Sequence, residues 1–215
     1  MKAVKKEKNL KEKAYDIIKH KIVHCELEPG SPISEQELIA EIGASRTPIR
    51  EALNKLEDEH LIRIYPKRGI FVTEISLKDI VDIYTLREVV EPFAARVAAS
   101  LIDVRRLEKY RQIWSDPHYD TYEPDEHITI DRQFHRLIAE STGNKYLIQL
   151  LFRLYDQVNR IRILSLRKIK ERQEETRNEH LQIIHCLIEG DAEGSEQAMK
   201  AHLERAKETA LKIFP

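Results

Sequence analysis

Apolar residues recur with helical spacing near the start of the chain, where Leu10, Ala14, Ile17, Ile18 and Ile22 make one stripe among Lys, Glu and His. This pattern predicts a helix ended by Pro29-Gly30. The next run, SEQELIAEIG, opens with Ser34 and Glu37 in capping-box spacing and closes on Gly43, which suits a helix C-cap. A third helix follows after a short turn. In ASRTPIREALNKLEDEHLI, Ile49, Ala52, Leu53 and Leu56 fall at i, i+3, i+4 and i+7, one buried face. Arg46, Thr47, Arg50 and Asn54 fall on the opposite side. Ser45 or Thr47 can cap the N-terminus, and Pro48 is tolerated in the first turn because an amide there has no helical partner. The pattern then turns strand-like. Residues 62–65 and 70–73 are β-rich runs flanking Pro66-Lys67-Arg68-Gly69, a hairpin turn carrying two cations.

From Ser76 onward the pattern is helical throughout. Ser76 and Asp79 form an acidic N-terminal cap for a helix over residues 80–101, bent near Pro92. Further helices are predicted over 103–114, 125–141, 145–166, 171–189 and 192–213. SDPHYDTYEP reads as a loop, and STGN and EGDAEG as turns. The expected fold is mainly α, a winged helix-turn-helix followed by an all-α antiparallel bundle of six or seven helices. The expected domains are a basic tail at 1–8, the winged helix at 9–75 and the bundle at 76–215.

Composition narrows this only slightly. Of 215 residues, 41% are hydrophobic and 34% charged, enough for a core and typical of a helix-rich chain. The net charge is −1, with 14 basic and 13 acidic residues in the first 75 and 22 against 24 in the rest. Bulk charge therefore neither supports nor excludes nucleic acid, and any basic surface must be local. Cys25 and Cys186 have no metal-type spacing, and a reduced, cytoplasmic protein is expected. No apolar run approaches membrane-spanning length, and the lysine-rich start lacks an apolar region after it. The protein is expected to be neither exported nor membrane-spanning.

In a winged helix-turn-helix the second helix of the motif enters the major groove, N-terminal residues first. Arg46 and Arg50 are then positioned for guanine edges or phosphates, and Lys67 and Arg68 on the wing for phosphate or the minor groove. The stretch SRTPIREALNKLEDEHLIRIYPKRGIFV resembles the signature of GntR-family bacterial transcription regulators. The resemblance implies DNA contacts from Ser45, Arg46, Thr47 and Arg50, and from the wing around Gly69. It also implies a homodimer on a palindromic operator. Two positions depart from the family. Gln36 stands where some relatives place a DNA-contacting arginine, and His60 stands where the recognition helix usually ends in glycine, which makes a left-handed cap there less comfortable.

Most of the nine histidines are unremarkable, with His20, His24 and His118 among polar residues. Asp131 and His135 are spaced i, i+4 and project from one helix face. His180 shares a stripe with Ile184 and Leu187, and His202 a face with Ala198 and Ala206, so both point inward. Three imidazoles and a carboxylate from three helices can form a divalent-metal site, although inward histidines are also ordinary hydrogen-bonded core residues. DRQFH, NEHLQII and MKAHLERA resemble the blocks of the FCD effector domain in the FadR subfamily. Many members of that subfamily bind a metal through an Asp and three His, which match Asp131, His135, His180 and His202. His127 and His185 fall outside the pattern, as structural or surface residues. Zinc is the first expectation, with nickel, manganese or iron as alternatives. An open coordination position would draw a small carboxylate effector. By resemblance, Arg87 is the expected effector-binding residue, with an Arg87–Glu91 surface pair as the competing reading. Asn159 and Arg162 are weaker candidates.

The expected function is a ligand-responsive, DNA-binding transcription regulator, a repressor sensing a small organic acid. The alternative is a metal-dependent enzyme using the Asp-His₃ site. Against the enzyme, no evident general base accompanies the ligands. A third reading, a winged helix used only as an interaction module, would lack salt-dependent, sequence-specific DNA binding.

Overall fold

The computed structural model describes residues 9–166 and 172–213. The expected tail at 1–8 and the expected helix start at Glu171 lie outside the described residues. The chain divides into two units, residues 1–75 and 76–215.

In the first unit, α1 (Leu10–Val23) begins at Asn9, whose side chain accepts from the Glu12 amide at 2.8 Å. It ends well before Pro29-Gly30. Cys25 takes a left-handed conformation (φ 54°), and the amides of Glu26 and Leu27 turn back to the Lys21 carbonyl. The helix thus closes on its own last turn. Leu10 is exposed rather than part of the buried stripe, because it sits a full turn before Ala14, the first buried residue. β1 (Pro32–Ile33) has no signature in the sequence. It is two residues long and is defined by its pairing with β3 (Gly69–Val72), on whose other side lies β2 (Ile62–Tyr65). The antiparallel order is β1-β3-β2.

α2 (Glu35–Ile42) has the bounds its sequence predicts. Ser34 Oγ accepts from the Glu37 amide at 3.3 Å, and Gly43 (φ 68°) closes the helix in the left-handed region. α3 (Arg46–Asp58) follows Ser45, which occupies the N-cap position with no side-chain capping hydrogen bond. Ile18 and Ile22 of α1, Leu38 of α2, Ile49, Leu53 and Leu56 of α3 and Ile62 of β2 share one core. Each buried aliphatic side chain contributes about 1.5–3 kcal/mol, so α3 is anchored by the face opposite its arginines.

After α3 the chain turns through His60, a non-glycine residue at φ 58°. A side chain there is strained by about 1–2 kcal/mol, while glycine adds unfolded-state entropy of about 0.5–1 kcal/mol. His60→Gly is therefore expected to stabilise the protein by roughly 0.5–1 kcal/mol, read as a higher urea midpoint. A lower midpoint would mean that imidazole contacts outweigh the backbone strain.

In the second unit, α4 (Leu77–Ala98) opens on a reciprocal capping box between Ser76 and Asp79 and continues through Pro92. α5 (Val104–Ser115), α6 (Pro124–Ser141), α7 (Lys145–Leu166), α8 (Gln173–Ile188) and α9 (Ala192–Ile213) complete the bundle. α4 lies along α9 and also meets α6 and α7, while α5 covers α8. The loop before α6 contains a 3₁₀ turn at Tyr119–Thr121. Tyr119 is buried, and its hydroxyl accepts from Trp114 Nε1 at 2.8 Å. Trp114 meets Phe134 edge-on at 4.9 Å in the core. No described helix is long and apolar enough to cross a membrane.

Candidate nucleic-acid interface and metal centre

Ser45, Arg46, Thr47 and Arg50 are all exposed at the N-terminal end of α3. Pro48 fits in the first turn, and Ile49 and Leu53 behind it are fully buried, so the arginines stand on a fixed base. Arg50 is held by Glu35, which accepts from its Nε at 2.9 Å and its Nη2 at 3.3 Å. This exposed pair would have to open for Arg50 to reach a base or phosphate. Gln36 is exposed on the same helix as Glu35. On the hairpin, Lys67, Arg68 and Gly69 are exposed. Lys67 (φ 63°) and Gly69 (φ 114°) both take positive φ, and the Arg68 amide closes the turn on the Tyr65 carbonyl at 3.1 Å.

The bundle brings together the four residues expected to ligate a metal. Asp131 and His135 of α6, His180 of α8 and His202 of α9 each offer a ligand atom, and these atoms lie within 4.8 Å of one another. All four are buried. His180 Nε2 is 3.2 Å and His135 Nε2 3.8 Å from the Asp131 carboxylate, which is also ion-paired with Arg162 of α7. The Nε2 atoms of His135, His180 and His202 have no hydrogen-bond partner. Buried polar atoms are rarely left so. Three such nitrogens converging on a carboxylate fit a transition metal better than a hydrogen-bonded core. Burial first, and then the neighbouring imidazoles and arginines, hold His180 and His202 well below the usual imidazole range. They are neutral at neutral pH, the form that ligates metals.

Beside this cluster lies a cavity of about 130 Å³, walled by Tyr84, His127, Arg162, Arg172, Thr176 and Thr209 together with Asp131, His180 and His202. Arg87 is not on its wall. It lines a much smaller void with Asp131, His135, Tyr155 and Asn159. Arg87 does pair with Glu91, but the pair is buried rather than on the surface. Burial alone would push the Glu91 carboxyl up, yet Arg87 and His135 pull it to about 2. His127 is buried edge-on to Tyr119 at 4.4 Å, whereas His185 is exposed.

Several contributors were not singled out from the pattern as part of the site. Arg172 is the residue just before α8 and left no periodic signal. Glu91 falls one turn after Arg87, on the same face as buried Tyr84 and Ala95, so helical register could have marked it as inward. Glu179 likewise shares a face with Ile183. Trp114, stacked on His180 at 4.3 Å between centroids, could be assigned to this site only from the fold.

An exposed arginine helix with a basic wing, followed by a helical bundle enclosing an Asp-His₃ cluster and a cavity, defines a DNA-binding transcription regulator with an effector domain. The model for bacterial regulatory proteins of the gntR family matches residues 10–72, and the FCD domain model matches residues 82–205. The chain belongs to the GntR family and carries an FCD effector domain. It is a transcription regulator, not an enzyme. The HTH-type transcriptional repressor RspR of Escherichia coli (strain K12) is 30% identical over 93% of this chain and 88% of its own length. Among solved structures, E. coli McbR/YncC is similar with a TM-score of 0.79 at 19% identity, covering 95% of this chain and 98% of its own. A metal-free FCD domain from another regulator is similar over 65% of this chain and 96% of its own, with a TM-score of 0.53 at 22% identity.

Proposed function

We propose that the protein is a cytoplasmic, homodimeric repressor that senses a small carboxylate at a metal held by Asp131, His135, His180 and His202. The observation that carries this reading is the convergence of three imidazole nitrogens without hydrogen bonds beside a cavity walled by two guanidinium groups. The three-imidazole, one-carboxylate set suits zinc first, and nickel, manganese or iron as alternatives. A metal bound there supplies a Lewis-acidic position that a carboxylate oxygen can take. Arg162 and Arg172 are the cavity's carboxylate partners, and Arg87 acts from behind, through Glu91, on His135. The similar E. coli protein RspR is named a repressor.

In this reading residues 1–8 are a basic tail, 9–75 the DNA-binding domain and 76–215 the effector and dimer domain. Ser45, Arg46, Thr47 and Arg50 read the major groove, while Lys67, Arg68 and Gly69 meet the backbone or minor groove. Dimerisation is supported by α4, whose Leu86, Val89 and Phe93 are exposed on the side away from its buried Arg87 and Ala94. A two-fold pair of this chain would cover that face and present two recognition helices to a palindromic operator.

The test uses a duplex selected from a random pool by the full chain. Small hydroxy- and dicarboxylates are added to the zinc-loaded protein, with DNA affinity read by fluorescence anisotropy. One of these acids is expected to change affinity by roughly 5–150-fold, the usual range of allosteric coupling. Selected DNA that no acid affects would contradict the sensing role.

A further inference from the structure

Each of two metal-facing histidines rests its other nitrogen on a buried carboxylate. His135 Nδ1 is 2.6 Å from Glu91 Oε2, and His202 Nδ1 is 2.7 Å from Glu179 Oε2. An ionised carboxylate can only accept, so in both pairs Nδ1 must carry the proton and Nε2 the lone pair. Those Nε2 atoms are the ones left without partners beside Asp131. His180 is held differently. Neither of its nitrogens has a hydrogen-bond partner, and its ring plane lies against Trp114 at 28°.

We propose that Glu91 and Glu179 are positioning residues, which lock His135 and His202 in the Nδ1–H tautomer and so aim both Nε2 atoms at the metal. The proposal rests on the metal reading above. The two carboxylates come from different places in the fold and are themselves anchored. Glu91 belongs to α4, which contributes no metal ligand, and it is paired with Arg87. Glu179 of α8 accepts from Arg172 and Arg205, each at 3.1 Å. Outer carboxylates of this kind fix ring orientation and raise ligand basicity, and their loss typically weakens metal binding about 10–100-fold. Through Glu91, α4 becomes part of the metal site. α4 begins at Leu77, shortly after β3 ends at Val72, so the helix leading out of the DNA-binding unit is tied to His135.

The two sites differ in what a substitution leaves behind. Removing Glu91 strands the fully buried Arg87, whereas Arg205 beside Glu179 is 56% exposed and can be rehydrated. Glu179 is therefore tested first. The full chain is labelled with ¹⁵N-histidine and stripped of metal, and long-range ¹H–¹⁵N correlation reads the tautomers. Zinc affinity is measured separately by chelator competition. In the wild type, His135 and His202 should both be Nδ1–H. In Glu179→Ala, His202 should lose its fixed tautomer while His135 keeps it, and zinc affinity should fall roughly 10–100-fold. Glu179→Gln keeps an accepting oxygen, so it should retain the tautomer and lose less affinity. Glu91→Gln preserves shape beside Arg87 and is the second variant, expected to weaken zinc binding through His135. A His202 tautomer unchanged in Glu179→Ala, or zinc affinity within about twofold of the wild type, would overturn the proposal. A wild type that binds none of zinc, nickel, manganese and iron overturns the metal reading and the positioning role with it. That failure is told apart from the first because it appears before any substitution is made.

Discussion

Arg46→Ala and Arg50→Ala should each weaken binding to the selected operator by about 1–3 kcal/mol, the discrimination carried by a good bidentate base contact. The double variant should lose specific binding altogether. Both side chains are exposed, and the residues anchoring α3, Ile49, Ala52, Leu53 and Leu56, lie on its other face. The urea midpoint should therefore be unchanged, which separates lost recognition from lost fold. Arg50 carries a further signature. It is paired with Glu35 in the free protein, so its gain on DNA is offset by breaking that pair, and Arg46→Ala should be the more damaging substitution. Lys67→Ala on the wing should instead weaken all sequences alike and reduce the salt slope by about one. Affinity that survives in the double variant, at matched salt, would remove α3 from the interface.

Glu91→Ala is expected to produce the largest loss of stability, about 3–5 kcal/mol, the usual result of leaving a buried charge without its partner. Arg87 and Glu91 are each 1% exposed, so neither charge is solvated in the native bundle. Replacing both together, as Arg87→Met/Glu91→Leu, should recover most of that loss, because an apolar pair of similar volume avoids the desolvation of two ions. Chemical denaturation of the metal-free protein checks both, so that metal binding does not contribute. A loss below about 1 kcal/mol in Glu91→Ala would mean that Arg87 finds another partner or solvent.

Local chemistry was readable in several single elements. Ser34 and Gly43 bound α2 because a cap and a left-handed glycine are local devices, and the α3 stripe holds because its four apolar residues meet one core. Two features of the first unit were not readable. β1 is two residues stabilised by β3, and α1 is ended by a turn at Cys25 that breaks no sequence rule. In the bundle, helical phase directed Asp131, His135, His180 and His202 inward, but phase cannot say that three helices bring them within 4.8 Å. For Arg87, the same i, i+4 spacing fits a surface pair and a buried one, and only the cover from α6, α7 and α9 distinguishes them. Glu91 was read only as a surface partner of Arg87, and Glu179 escaped notice, because a glutamate in a helix is ordinarily solvated.

Metal content of the purified full chain, measured by plasma mass spectrometry beside a His135→Ala/His202→Ala variant, tests the central claim most directly. About one equivalent per chain in the wild type, lost in the variant, is the predicted result. A wild type that remains empty after exposure to zinc, nickel, manganese and iron would contradict it, leaving the cavity arginines without a metal to share a ligand with.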